Sequence, residues 1–225
     1  MRAPISVIIP TLDAESGLPH CLSALGEGLN AGLIREVIFS DGGSLDSTLG
    51  IAEAAGAEVV SGPPSRGGQL RRGAEAAAGD WLLFLHADTA LQEGWTEVVL
   101  RALPTPGAYH FRLRFDAKGL APRLVSGWAN VRSRYLGLPY GDQGLLIDRA
   151  SYEKAGGFPD IPLMEDVALA RLLRRQMLEL PAYAVTNAGK YQRQGWLRRG
   201  ARNLSILIRY LFGADPAQLA KQYRK

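Results

Sequence analysis

Four short apolar runs, each stopped by a polar residue and separated from the next by a helical stretch, restrict this chain more than any other feature. They are Ile5-Ser6-Val7-Ile8-Ile9-Pro10, Glu36-Val37-Ile38-Phe39-Ser40, Ala57 to Val60 and Trp81 to Leu85. Each has the length and the β-branched or aromatic content of a buried strand. Leu18, Leu22 and Leu25 share one face of a helix predicted over Glu15 to Gly28. Ser44 or Asp46 can cap a second helix running to about Gly56, and a third covers about Gly68 to Ala78. Strands alternating with helices specify a parallel sheet covered on both faces. In such sheets ligands bind beyond the carboxyl ends of the strands. Thr11, Asp41 and Asp88, which follow three of the strands, are therefore predicted to meet on one rim.

The second half changes character. Ala108 to Phe115 alternates strictly, with Tyr109, Phe111, Leu113 and Phe115 on one side and His110, Arg112 and Arg114 on the other. That pattern predicts a mixed sheet with one face partly wet. Leu120 to Tyr135 reads as helical, Leu145 to Ile147 as a short strand and Asp166 to Met177 as a helix.

The bulk numbers remove several classes. A chain of 225 residues with 47% hydrophobic and 21% charged content is an ordinary globular domain, not a disordered or fibrous one. Cys21 is the single cysteine, which excludes an internal disulfide framework and a cysteine zinc cluster. It stands among the leucines of the first helix and is expected in the core. No apolar stretch reaches the roughly 18 residues that a spanning helix needs, and the run from Ile5 to Ile9 is too short for a secretory signal. A soluble or peripheral protein of the reducing cytoplasm is the expectation.

Several short motifs carry polar groups to predicted strand or helix ends. Asp41-Gly42-Gly43-Ser44-Leu45-Asp46 follows the second strand; its carboxylate can accept from a base N–H, or the motif is a turn with a helix cap. Leu85-His86-Ala87-Asp88 ends a strand with a carboxylate that can hold a divalent cation between two phosphates, although a strand-ending aspartate is common. Ser65-Arg66-Gly67-Gly68-Gln69 opens a helix whose free N–H groups and Arg66 suit an anion. Gly141-Asp142-Gln143-Gly144 offers a carboxylate and an amide on a turn. Glu165-Asp166 stands at a helix start, where a carboxylate serves as a cap or as a general base.

In this order the motifs resemble those of the family 2 glycosyltransferases, the GT-A type of sugar-nucleotide enzyme. The residues that carry the resemblance are Val7 to Leu12, Glu36 to Thr48, Gly79 to Asp88, Gly156-Gly157-Phe158 and Glu165-Asp166. It covers about residues 4 to 180. The resemblance implies an α/β fold: a Rossmann-like, mixed but mostly parallel sheet flanked by helices. It implies an inverting transfer from a nucleotide-sugar, a UDP-sugar foremost, to an acceptor hydroxyl, with Mg²⁺ or Mn²⁺ as cofactor. By similarity Pro10, Thr11 and Glu15 line the base and ribose, Asp41 contacts the uracil edge, and Arg66 approaches the base or the diphosphate. Asp88 matches the metal-associated last position of the family's Asp-x-Asp motif, and His86 stands at its first. Asp166 matches the catalytic base, Glu165 helps to place the acceptor, and Gly141, Asp142 and Gln143 line the acceptor or donor-sugar side.

The last segment differs from the body. From Lys190 onward there are nine Lys or Arg and one acid, a net of +8 in a chain of net +4, so the preceding residues sum to −4. A glycosyltransferase domain over 1–190 and a basic amphipathic helical extension over 191–225 are expected. Leu197, Ala201, Leu204, Ile208 and Leu211 recur at helical spacing, flanked by Arg198, Arg202 and Arg209. The simpler reading buries that stripe on the domain; the other lays residues 197–212 on an anionic membrane, which would suit a lipid-linked acceptor. Lys190 or Arg193 could also reach the diphosphate. Two rival functions compete. A sugar-phosphate nucleotidyltransferase would carry a glycine-rich loop after the first strand, where Pro10 to Glu15 holds no glycine. A non-catalytic peripheral membrane module would use the basic tail alone. The acidic body without interleaved aromatic and basic residues argues against nucleic acid.

Overall fold

The computed structural model describes residues 3–173 and 176–223. In chain order the first half holds β1 (Ile5–Thr11), α1 (Leu18–Asn30), β2 (Ile34–Asp41), α2 (Thr48–Ala54), β3 (Glu58–Ser61), α3 (Arg66–Ala76), β4 (Trp81–Phe84), β5 (Thr89–Leu91) and α4 (Trp95–Ala102). The second half holds β6 (Ala108–Phe115), α5 (Leu120–Leu136), β7 (Leu145–Asp148), α6 (Arg149–Lys154), α7 (Glu165–Leu173), β8 (Met177–Thr186), α8 (Gly189–Gln194), α9 (Trp196–Leu211) and α10 (Pro216–Tyr223). A single 3-10 turn, Gly141–Gln143, precedes β7.

The strands form one eight-stranded sheet in the order β3-β2-β1-β4-β7-β6-β8-β5. β1 to β4 are mutually parallel, as the alternation of apolar runs and helices required. β7 is antiparallel to both β4 and β6, and β8 is parallel to β6. The carboxyl ends of β1, β2, β4, β6 and β8 therefore share one rim, and the turn that feeds β7 enters at the same rim. Successive side chains of a strand point to opposite faces, so β1 builds two cores. Val7 and Ile9 pack with Leu18, Leu25 and Trp95 of the α1/α4 layer. Ile8 packs with Leu70, Leu169 and Leu173 of the α3/α7 layer. The Trp95 indole, fully buried, donates to the Ala24 carbonyl (3.1 Å) and ties α4 to α1. Cys21 is buried in that layer.

Four expectations need correction. Neither Ser44 nor Asp46 is the N-cap of α2, which is Ser47 without a side-chain cap bond; the Asp46 carboxylate, one residue earlier, accepts from the Thr48 N–H (3.0 Å), while the Ser44 hydroxyl is committed to Asp41. The helix expected over 166–177 ends at Leu173, and Met177 already opens β8; positions 174 and 175 of that expectation lie outside the described residues. On β6 only Arg112 and Arg114 reach solvent, because His110 is covered between β7 and β8. The amphipathic stripe on α9 is turned the other way. Its inner face carries Arg199, Ile206 and Leu207, and Leu197 is left 81% exposed. Ile206 and Leu207 join Leu138, Leu163, Met164 and Val167 of the body with Leu219 of α10 in one cluster, so α9 and α10 are docked by the face opposite the predicted one.

Candidate active site

At the carboxyl rim a cleft of about 470 Å³ opens between the ends of β1 and β4 on one side and α8, α9 and α10 on the other. Arg66, His86, Asp88, Gly141, Asp142 and Asp166 all line it, so six residues singled out from scattered motifs meet in one place. Each arrives by a simple route. Phe84 pairs with Leu145 across the β4–β7 ladder, which sets the segment after β4 against the turn before β7. The His86 ring lies so close to Gly141 that a Cβ there would fall 2.4 Å from Nε2. Gly17 plays a similar part behind Asp88: a Cβ would meet the Ala87 carbonyl at 2.8 Å, so the start of α1 reaches the strand end only as glycine.

Asp166 heads α7. Its Oδ2 accepts from the Gly141 N–H (2.7 Å) and its Oδ1 from the Val167 N–H (2.7 Å), which fixes the carboxylate between the helix start and the 141–144 turn. Asp142 is its neighbour in the cleft. Burial, with Asp166 and Asp88 adding like charge, raises its pKa from 3.8 to about 6 against the pull of Arg132 and Arg66. Its Oδ1 is buried and has no hydrogen-bond partner among the described residues. Burial also depresses His86, helped by Arg66 and Lys190 and opposed by Asp88 and Asp166. The imidazole is thus neutral near pH 7, the state in which a ring nitrogen offers a lone pair. Asp88 is partly open to the cleft, and the Lys190 ammonium stands 3.8 Å from its Oδ2.

The remaining predicted residues lie elsewhere. Glu165 is buried beneath Arg66, its Oε1 3.9 Å from Nε, and does not face the cleft. Burial and Asp166 raise its pKa while Arg66 opposes them. Its contact in this structure is the ion pair with Arg66. Gln143 is wholly buried and used up: Nε2 donates to the Phe111 carbonyl (3.1 Å), and Oε1 accepts from Ser133 Oγ (2.5 Å) and Arg132 Nη2 (3.4 Å). Pro10, Thr11 and Asp41 sit behind the cleft. The Asp41 carboxylate accepts from Thr11 Oγ1 (3.0 Å), Gly43 N (2.7 Å), Ser44 N (2.9 Å) and Ser44 Oγ (2.5 Å). Burial alone would raise its pKa, but the Ser44, Gly43 and Thr11 hydrogen bonds prevail and lower it. These bonds shape the loop that follows β2. Glu15 is exposed, and its Oε2 accepts from the Ser47 N–H (3.0 Å). That bond is one of five joining residues 13–15 to residues 44–48, with Asp13 N to Ser44 Oγ, Ala14 N to Thr48 Oγ1, Glu15 N to Asp46 Oδ2 and Leu45 N to Asp13 Oδ1.

Sequence reasoning missed the far wall. Tyr140, Tyr191, Arg199, Asn203 and Tyr223 face the same cleft. Arg199 donates to Gln194 Oε1 and to Tyr223 Oη (2.8 Å each), and Asn203 Nδ2 donates to Tyr191 Oη (2.9 Å). The signal was present: Arg199, Asn203, Ile206 and Tyr210 recur at i, i+4, i+7 and i+11, a second stripe on the same helix. The leucine stripe drew attention to the wrong face.

Carboxylates and cations thus converge in one cleft at the ends of parallel strands, the arrangement of a sugar-nucleotide enzyme of the α/β class, and comparison with known proteins shows the family. The chain belongs to glycosyl transferase family 2, whose model matches residues 6–145. It is 38% identical over 104 residues to the PGL/p-HBAD biosynthesis glycosyltransferase of Mycobacterium bovis, a match covering 43% of this chain and 40% of that one. The chain therefore spans well under two thirds of that relative's length. Among solved structures it resembles Staphylococcus aureus TarS 1–349 (TM-score 0.66, 17% identity, 98% of this chain and 70% of that one). It also resembles Mycobacterium tuberculosis glucosyl-3-phosphoglycerate synthase, solved with Mn²⁺, UDP and glucosyl-3-phosphoglycerate (TM-score 0.57, 22% identity, 82% and 70%). The fold is accordingly the GT-A type.

Proposed function

We propose that the chain transfers a glycosyl group from a nucleotide-sugar, a UDP-sugar foremost, to an acceptor hydroxyl, with inversion at the anomeric carbon. The observation that carries the reading is the placing of Asp166, Asp88 and Arg66 in one cleft at the strand ends. The Asp166 carboxylate would take the proton of the acceptor hydroxyl as its oxygen attacks the anomeric carbon. The new C–O bond forms as the bond to the diphosphate oxygen breaks, and the nucleoside diphosphate leaves with the electron pair. Arg66 and Lys190 stand where they would offset the charge on that leaving group. The loops 12–16 and 42–48, held together by their five hydrogen bonds, would bound the base; Asp41 and Thr11 support them from behind.

The donor set fits a divalent cation that shares its coordination with a ligand. Asp88 presents a carboxylate and His86 a neutral imidazole. Among the described residues no group of three His, Cys, Asp or Glu could hold a metal alone, so Mg²⁺ or Mn²⁺ at Asp88 would need the diphosphate oxygens to complete its shell. When bound it would supply Lewis-acid stabilisation of the departing diphosphate. The synthase solved with Mn²⁺ and UDP supports this assignment by likeness of fold.

The test is Asp166→Asn. Transfer from UDP-sugar should fall by about 10³ or more, while UDP affinity in calorimetry stays within about twofold; normal turnover would sink the assignment. A second reading rests on the unpartnered Oδ1 of Asp142, which makes that carboxylate the base instead. Asp142→Asn would then abolish transfer and Asp166→Asn would not. For the acceptor we propose a hydroxyl compound entering against the wall of α8 to α10, a lipid-linked one among the candidates, with the protein cytoplasmic and peripheral to the membrane's inner face.

A further inference from the structure

Helix α9 has two working faces. The inner one puts Arg199, Asn203 and Ile206 into the cleft. The outer one is apolar and open: Leu197, Leu204, Ile208 and Leu211 are exposed, and Phe212 just beyond is 89% exposed. Helix α5 lies against it, with Gly200 of α9 passing Val125 of α5 closely enough that a Cβ would touch at 4.0 Å. It shows the same division. Leu120, Leu124, Trp128, Val131 and Tyr135 recur at i, i+4, i+8, i+11 and i+15, and all are exposed, Leu120 at 77%. Two adjacent helices thus leave long apolar stripes uncovered, which soluble surfaces rarely do.

The charge on these helices selects the occupant. α5 and α9 together hold seven arginines and no acid. Arg123, Arg134, Arg198 and Arg209 are exposed beside the stripes. A second copy of the chain is disfavoured, since a twofold contact through this face would set arginines against arginines. Apolar stripes bordered by cations match an anionic lipid surface, where aliphatic and indole groups enter the acyl boundary and guanidinium groups meet the phosphates. No helix among the described residues is long and apolar enough to cross a membrane.

We propose that α5 and α9 form one docking face for an anionic bilayer, lying flat on it with the α9 wall of the cleft directly behind. The face deepens the transferase reading, and rests on it only for what the cleft then receives: a hydroxyl acceptor presented at the lipid surface. Docking itself needs no turnover.

The experiment is flotation with phosphatidylcholine vesicles, with and without phosphatidylglycerol, on the full chain. Wild type should float with the anionic vesicles and stay down with the neutral ones. Three variants address the face: Leu120→Ser/Leu124→Ser/Trp128→Ser on α5, Leu197→Ser/Ile208→Ser/Phe212→Ser on α9, and Arg123→Glu/Arg198→Glu/Arg209→Glu. All change exposed residues, and unchanged thermal melts and UDP affinity certify that each is folded. Each should lose flotation to the neutral-vesicle level, and the indole emission should shift to the blue on anionic vesicles in wild type but not in Trp128→Phe. Wild type that fails to float, or folded variants that float as wild type does, overturns the proposal. So does a dimer in light scattering that the apolar variants dissolve while vesicles bind nothing. UDP that binds wild type while flotation fails leaves the transferase reading standing; flotation without UDP affinity does the reverse.

Discussion

Replacing Gln143 with alanine separates a strut from a substrate contact. The side chain is fully enclosed and bridges the β6 carbonyl of Phe111 to Ser133 and Arg132 on α5. Alanine removes one partner each from the Phe111 carbonyl, which keeps His110 Nδ1 at 3.1 Å, and from the Ser133 hydroxyl, which keeps the Ala129 carbonyl at 2.8 Å, so each loss is that of one hydrogen bond, about 1 kcal/mol. The Arg132 contact at 3.4 Å is long and adds least. Arg132 keeps the Leu138 carbonyl (2.9 Å) and the Tyr140 ring, 3.5 Å from its guanidinium. The total comes to about 2 kcal/mol, a Tm fall of roughly 4–8 °C for a chain of this size. Urea unfolding should show a lower midpoint at unchanged slope. The donor Kd and acceptor KM of the folded fraction should stay put. Ser133→Ala should cost less in the Gln143→Ala background than in wild type, because the hydroxyl there has only the Ala129 carbonyl left to donate to. An unchanged midpoint together with a raised acceptor KM would refute the strut and return Gln143 to the acceptor side.

Three further outcomes are expected. Asp88→Ala should weaken UDP-sugar binding in calorimetry only when Mn²⁺ or Mg²⁺ is present; an equal loss in chelator counts against the ligand role. Burial raises the Asp142 pKa from 3.8 to about 6, so its contribution to stability is full below about pH 4 and is lost as pH rises through about 6. Asp142→Asn should therefore stabilise the protein by on the order of 2 kcal/mol at about pH 8 and by nothing at about pH 4, read as the difference between melts at the two pH values; a gain of equal size at both removes the buried-charge account. A Cβ on Gly67 would lie 1.9 Å from the Pro159 carbonyl oxygen. Gly67→Ala should push the start of α3 off the 159–161 segment, costing about 2 kcal/mol or more and weakening UDP binding through Arg66; a wild-type melt with wild-type affinity would contradict that contact.

The parallel half of the fold was legible because its central strands β1 and β4 are buried on both faces and read as nearly unbroken apolar runs. Thr11, Asp41 and Asp88 followed as strand ends, though only Asp88 turned out to face the cleft. A carboxylate after a strand looks the same in sequence whether or not it also binds its own loop, so the Asp41 bonds to Thr11, Gly43 and Ser44 were not legible. β8 went unseen because Pro181 interrupts it. The ladder shows why proline is tolerated there: Phe111 pairs with Leu180 and Arg112 with Tyr183, so residues 181 and 182 form an irregularity that needs no ladder donor. Glu165 and Asp166 are adjacent in sequence yet point to different surroundings, a helix-phase effect that spacing alone does not assign. The stripe on α9 was found but placed on the wrong side, since periodicity gives a face without saying what covers it.

The placing of Arg199 and Tyr223 on the wall opposite Asp88 has a consequence for the protein's synthesis. The β1–β4 half emerges from the ribosome first and can fold with its strand ends open to water. Tyr191, Arg199, Asn203 and Tyr223 come more than a hundred residues later. A nascent chain thus presents the strand-end wall of the cleft, with Arg66 and Asp88, before the residues of the facing wall have been made.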